Sequence, residues 1–223
     1  MRASARSLPR FPDASAVRFL LHLALACVVS LMVLLWMLPS PRPVRTDLRW
    51  QPLDSVDFEL VDHRGNRVTR AELLGQPTAL FFGFTSCPEI CPTTLSRLMA
   101  IRQQLGAEGN RLKVTFVSVD PERDTQDMLA TYVSNFAMPL TALSGAVAQI
   151  DRLVAAFGAV YVKTPTEAGG YTVDHTALVY LLDAQGGVAG IIAYDESQDS
   201  ALAKVRLLLE SDVAHKPARK EED

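Results

Sequence analysis

Nowhere does this sequence gather lysine and arginine into a stripe interleaved with aromatics, and aromatic residues make up only 7% of it. Basic residues (22) fall just short of acidic ones (25). The electrostatic footprint of a nucleic-acid binder is therefore missing. Cysteine is scarce as well: three in 223 residues, at positions 27, 87 and 91, too few for a disulfide framework. No segment repeats itself. A chain of this length supplies one soluble domain of ordinary size plus one further segment, but not two full domains.

The further segment is easily located. Phe19 to Leu38 is a long apolar run, interrupted only by His22 and Ser30, and it has the length needed to cross the roughly 30 Å of a bilayer core as a helix. It ends in Trp36-Met37-Leu38 and then prolines, without the small-residue cleavage site of a signal peptide. Ala24-Leu25-Ala26 is a poor lipidation signal for Cys27, and His22 reads as an interfacial residue. Arg2, Arg6, Arg10 and Arg18 precede the run, against Arg42, Arg45 and Arg49 after it, a small excess under the positive-inside rule. The expected layout is a cytoplasmic tail (1–18), a transmembrane anchor (19–38), a proline-rich linker (39–55), a folded domain (56–212) and a charged tail (213–223). The anchor is expected in a bacterial inner membrane, single-pass, with the soluble domain facing the periplasm, a compartment that suits closely spaced cysteines with redox or metal work to do.

Within the domain, Asp57–Leu60 and Arg67–Thr69 flank Gly65-Asn66 and predict a hairpin that leaves His63 in a solvated turn. Thr78–Phe84 is a continuous apolar run of strand length, which reads as a strand buried on both faces. Helical spacing of Leu95, Leu98, Met99 and Leu105 followed by the β-branched run Val114–Val119 makes a strand–helix–strand crossover and implies parallel pairing. Asp124 is expected to cap a helix bearing Met128, Leu129, Tyr132, Val133 and Phe136 on one face, and Val147, Ile150, Leu153, Val154 and Phe157 mark another. Pro139–Leu143 reads as a short strand between them. Thr176–Leu182 and Val188–Ile192 predict two strands joined at Gln185-Gly186-Gly187, before a last helix carrying Leu202, Val205, Leu208 and Leu209. The fold class is α/β: a mixed sheet, parallel early and antiparallel late, flanked by helices. The cysteine pair lies just beyond the carboxyl end of the first parallel strand, where open α/β sheets place their chemistry.

Thr85-Ser86-Cys87-Pro88-Glu89-Ile90-Cys91-Pro92 puts two thiols where a helix begins, and unsatisfied N–H groups there favour thiolates, so both cysteines are expected to be acidic. Pro92 predicts an irregular turn from Cys87 to Cys91 with the regular helix starting at Pro92 and both sulfurs on one exposed side. A disulfide closing so small a loop is a weak staple, and the spacing is one residue longer than the Cys-x-x-Cys of redox motifs. Two soft thiolates with one imidazole suit copper, Cu(I) above all, whereas zinc asks for a fourth ligand. Among the histidines, His22 falls in the apolar run, His63 in a turn and His215 in the tail. His175 stands at the start of a predicted buried strand after the flexible Glu167–Gly170 segment, and a lone histidine there is more often structural.

Three blocks in order, Phe84-Thr85-Ser86-Cys87-Pro88-Glu89-Ile90-Cys91-Pro92, Ser118-Val119-Asp120-Pro121-Glu122-Arg123-Asp124-Thr125 and Val173-Asp174-His175-Thr176, resemble the Sco/SenC family of copper proteins that help assemble cytochrome c oxidase. The resemblance implies a thioredoxin-like fold and copper ligands at Cys87, Cys91 and His175. It places Asp120 near the site, where turn chemistry is an equal reading; for Asp124 the helix cap is preferred. It implies a metallochaperone that takes Cu(I) or Cu(II) from a periplasmic donor to the binuclear copper site in the copper-bearing subunit of cytochrome c oxidase. The alternative is a thiol–disulfide reductase in which Cys87 and Cys91 are the redox-active thiols. A peroxiredoxin-like peroxidase is weaker, because Phe84 stands where the threonine three residues before the attacking cysteine is expected.

Overall fold

The computed structural model describes residues 18, 22–30, 32, 50–167 and 169–215. The chain divides into two compact units, Met1–Asp47 and Leu48–Asp223. In the first, residues 22–30 are helical and Cys27 is exposed. No helix among the described residues is long and apolar enough to cross a membrane. Much of the predicted anchor (19–38), nearly all of the 1–18 tail, residues 39–49 of the linker and residues 216–223 of the charged tail lie outside the described residues.

The second unit is built on a seven-stranded sheet in the order β2-β1-β5-β4-β3-β8-β9. Its strands are β1 (Glu59–Asp62), β2 (Arg67–Thr69), β3 (Thr78–Gly83), β4 (Lys113–Ser118), β5 (Thr141–Ser144), β8 (Leu178–Leu182) and β9 (Val188–Ala193). A separate two-stranded ribbon pairs β6 (Tyr161–Pro165) with β7 (Tyr171–His175). The helices are α1 (Arg70–Leu73), α2 (Ile90–Gln104), α3 (Gln126–Ser134), α4 (Val147–Ala156) and α5 (Gln198–His215).

All six residues of β3 are buried, which is why its sequence shows no polar alternation. It pairs in parallel with β4, Phe81 opposite Phe116, and antiparallel with β8. Successive side chains of a strand leave opposite faces, so Phe81 and Phe82 seed two core layers. Phe81 meets Phe116, which reaches Tyr132 of α3 on one side, while Phe82 and Tyr180 meet Phe157 at the end of α4 on the other. Packing starts upstream of β1: Leu53, read above as linker, is fully buried, and Trp50 meets Tyr180 edge-on at 6.4 Å.

The expected mixed sheet, parallel pairing of β3 with β4, and the β8–β9 hairpin are all present. Several local expectations differ. His63 does lie in the turn, but it is half-buried rather than solvated: its N–H donates to Ala142 O at 2.9 Å and its Nδ1 accepts from Ala142 N–H at 3.3 Å, which ties the turn to β5. Met128 and Val147 are exposed rather than on the apolar faces of their helices. The cap of α3 is Thr125, whose side chain accepts from Met128 N–H, while Asp124 points elsewhere. His175 ends β7 instead of opening the strand that follows, because the ribbon intervenes.

The β8–β9 turn needs its glycine. Gly186 has φ +86°, and a Cβ there would lie 2.8 Å from Leu53 Cβ and 2.7 Å from Leu74 Cδ2. Gly186→Ala is expected to lower the unfolding free energy by about 1–3 kcal/mol in urea titration, whereas Ala at exposed Gln185 should stay within about 0.5 kcal/mol of the parent.

Candidate metal centre

Strand β3 ends at Gly83, and the chain leaves it through a tight turn in which Cys87 N–H donates to Phe84 O at 3.2 Å. Helix α2 then starts at Ile90, two residues before the expected Pro92, with Glu89 as its N-cap. Pro92 is thereby in the first turn, where an N–H has no intrahelical partner to lose, and the first helical bond runs from Thr93 N–H to Glu89 O at 3.0 Å. The predicted irregular turn exists, but Cys91 lies inside the helix and is fully buried, so the two sulfurs do not share an exposed side.

The N–H of Cys91, one of the orphan donors of the first turn, points at Cys87 Sγ, 3.4 Å away. Cys91 Sγ lies 3.4 Å from His175 Nε2. The other ring nitrogen, Nδ1, is 3.1 Å from Thr176 O. A carbonyl only accepts, so Nδ1 carries the proton of the neutral ring and Nε2 turns its lone pair to the sulfurs, the arrangement a metal-ligating imidazole needs. Phe81 and Phe84 stand edge-on to the imidazole, each with centroids 5.8 Å away. The donor atoms of Cys87, Cys91 and His175 all lie within 4.8 Å of one another, and no other His, Cys, Asp or Glu of the described residues joins them. Both sulfurs are free thiols. This donor set fits a soft monovalent ion.

The two thiols are not equivalent, against the expectation that both are acidic. The hydrogen bond from the Cys91 thiol holds the Cys87 pKa down to about 4, against the opposing effect of burial and with help from the Cys91 backbone N–H. The same bond, with burial added, pushes the Cys91 thiol far up. Cys87, 9% exposed, opens into a groove of about 300 Å³ lined also by Pro88, Glu89, Ile90 and Asp174. A larger apolar groove of about 440 Å³ between β9 and α5 lies away from the three donors.

Asp120 is fully buried, yet it stands apart from the donor cluster. Its Oδ1 accepts from Tyr171 OH at 2.7 Å and its Oδ2 from Arg123 Nε. Asp124, also buried, accepts from Thr85 N–H at 3.0 Å, Thr85 Oγ1 at 2.6 Å and Ser118 Oγ at 2.6 Å, and so ties the cysteine loop to the end of β4. Gly83 escaped the sequence reading too. A Cβ there would lie 2.7 Å from Cys91 Sγ and 2.7 Å from Phe116 Cε2. The signal was a glycine closing an apolar strand, a mark of close approach.

The SCO1/SenC family model matches residues 49–210. The bovine protein "SCO2 homolog, mitochondrial" is 40% identical over 142 residues, 62% of this chain and 53% of that protein, so the match spans about half the length of the relative. ScoI of Bradyrhizobium japonicum, solved with copper bound, is 37% identical and superposes with a TM-score of 0.62 over 68% of this chain and 97% of that one. Yeast Sco1 with copper bound is 29% identical, with a TM-score of 0.64 over 75% and 93% of the two chains.

Two outcomes follow from the asymmetry of the thiols. In the reduced, metal-free protein, iodoacetamide should label Cys87 well before Cys91 in peptide mass mapping. A thiol whose pKa falls to about 4 stays a thiolate above that pH, so Cys87 labelling should hold from pH 8 to near pH 5 and drop only as pH approaches 4, whereas an ordinary cysteine fades below about pH 8.5. Gly83→Ala should cost about 1–3 kcal/mol of stability and make Cys91 accessible to the same reagent.

Proposed function

Because the chain belongs to the SCO1/SenC family, we propose that it is a copper metallochaperone in which Cys87, Cys91 and His175 hold one copper ion as cargo for the binuclear copper site of cytochrome c oxidase. The observation that carries this reading is the convergence of two sulfurs and one lone-pair-bearing imidazole nitrogen within 4.8 Å, drawn from separate elements of the fold. Thiolates with a single imidazole favour Cu(I) over zinc, which asks for a fourth ligand. Solved relatives hold copper on the same fold.

The donors divide the work. Cys91 is fully buried against β3 and keeps the site in place, while half-buried His175 lines the groove beside Cys87. Cys87 is a thiolate at neutral pH and the only sulfur of the pair facing the groove. It is the donor that an incoming ligand from the acceptor meets first, and exchange of one thiolate for another moves a soft ion without stranding it in water. The same reading sets the domain in the periplasm, anchored through residues 19–38 in the inner membrane, with a periplasmic protein as copper donor; the length and apolarity of that run support it.

The full-length chain, purified in detergent and reduced, should bind one Cu(I). Cys87→Ser should abolish retention, and His175→Ala should weaken it more than about 100-fold, since loss of a ligand exceeds the 10- to 100-fold typical of its outer partners. Both variants should fail to support cytochrome c oxidase assembly in a deletion strain. If His175→Ala kept its copper and supported assembly while Cys87→Ser did not, thiol–disulfide reduction by Cys87 and Cys91 would replace copper delivery as the activity.

A further inference from the structure

The two sulfurs are held by the body of the domain, but the imidazole is carried on an appendage. β7 belongs to the β6–β7 ribbon, which shares no strand pairing with the main sheet, and a lone two-stranded hairpin is marginal in water. At the His175 end, Thr176 N–H donates to Val160 O at 2.9 Å and Val160 N–H donates to Thr176 Oγ1 at 3.0 Å. Those bonds close the ribbon on itself. Attachment to the body comes from buried Val173, from Tyr161 OH on Asp151 of α4 at 2.7 Å, and from the opposite end of the strand.

There Tyr171 is gripped twice. Its OH donates to Asp120 Oδ1 at 2.7 Å, and its backbone carbonyl accepts from Arg123 Nη1 at 2.8 Å. The Arg123 guanidinium lies 4.0 Å from the centroid of the Tyr171 ring, and its Nε donates to Asp120 Oδ2. Lys163, on the partner strand, reaches Glu122 at 2.7 Å and Asp120 at 3.5 Å. Both oxygens of Asp120 are thus engaged by the ribbon and by Arg123, which leaves this buried carboxylate no direct part in the metal site. Arg123 also stands 5.8 Å from the centroid of Phe84, whose ring abuts His175.

We infer that Asp120, Arg123 and Tyr171 form a clasp that positions the β6–β7 ribbon and, through it and Phe84, sets the His175 imidazole against the two sulfurs. The clasp residues are positioning residues: they touch neither sulfur nor imidazole, and the inference rests on the copper reading above. His175 lies four positions after Tyr171, about 13 Å of extended strand, so the clasp governs the far end of a lever whose near end is the third donor. Release of the clasp frees the histidine while the thiolates stay where they are.

The test uses the full-length reduced protein, a Cu(I)-selective chromophoric chelator as competitor, and X-ray absorption at the copper edge. Tyr171→Phe keeps the ring and removes the hydroxyl's bonds to Asp120 and Glu122; Arg123→Lys keeps the charge and removes the fork. Each is expected to lower Cu(I) affinity about tenfold and to diminish the imidazole scattering signature, while leaving the thermal midpoint of the metal-free protein and Cys87 labelling near those of the parent. In a His175→Ala background the same substitutions should change affinity no further. Unchanged affinity in the parent background, or an equal loss in the His175→Ala background, overturns the clasp. A parent chain that binds no copper overturns the copper reading and the clasp with it.

Discussion

Cys91 Sγ rests against the backbone of Gly83, in space that any Cβ would occupy. Gly83 is the last residue of β3, a strand buried along its whole length and paired on both sides. Its position is therefore among the least adjustable in the domain, since close-packed interiors transmit displacement instead of absorbing it. Helix α2 must start where it does so that Cys91 can fill this gap, and Cys87, four residues earlier, is then held over the opening N–H groups of the helix. The body of the domain fixes both sulfurs before any histidine is involved.

Burial then divides two chemically identical groups. One proton is shared in effect between neighbouring sulfurs, and the low-dielectric interior makes it cheaper to keep that proton on the enclosed sulfur and the charge on the one at the groove. The anionic sulfur is the one that also accepts the helix N–H. The reactive and the structural thiol are thus assigned by position alone. Asp124 serves the same end from the other side of the loop. By accepting three hydrogen bonds from Thr85 and Ser118 it fixes Thr85, two residues before Cys87, against the end of β4.

Much of this was readable in the linear sequence, for physical reasons that differ by element. The central strands announce themselves because two-sided burial demands uninterrupted apolar residues, as in Thr78–Phe84. The cysteine spacing and the glycine turns are local chemistry and need no tertiary knowledge. The ribbon was not readable, because its attachment is polar: Lys163, Arg123 and Asp120 do what an apolar stripe does elsewhere, and only Val173 of its residues is buried. Missing it put His175 at the head of the wrong strand. Asp124-Thr125 defeats local rules in another way. Both residues cap helices well, and what separates them is a partner 39 positions earlier in the chain. Pro92 was read as the first helical residue, although the third position tolerates proline equally well, since neither has a backbone bond to lose.

The donors are also far apart in order of synthesis. His175 follows Cys91 by 84 residues, and at about 5–20 residues per second a nascent chain presents its two thiols for roughly 4 to 17 s before the imidazole has been made. During that interval neither the ribbon nor the groove exists, and the sulfurs are two ordinary neighbouring cysteines open to oxidation or to whatever soft ion is at hand. The later arrival of the ribbon converts them into a discriminating site, so selectivity for the ion is acquired only once the segment carrying His175 has been made and folded back against the two thiols.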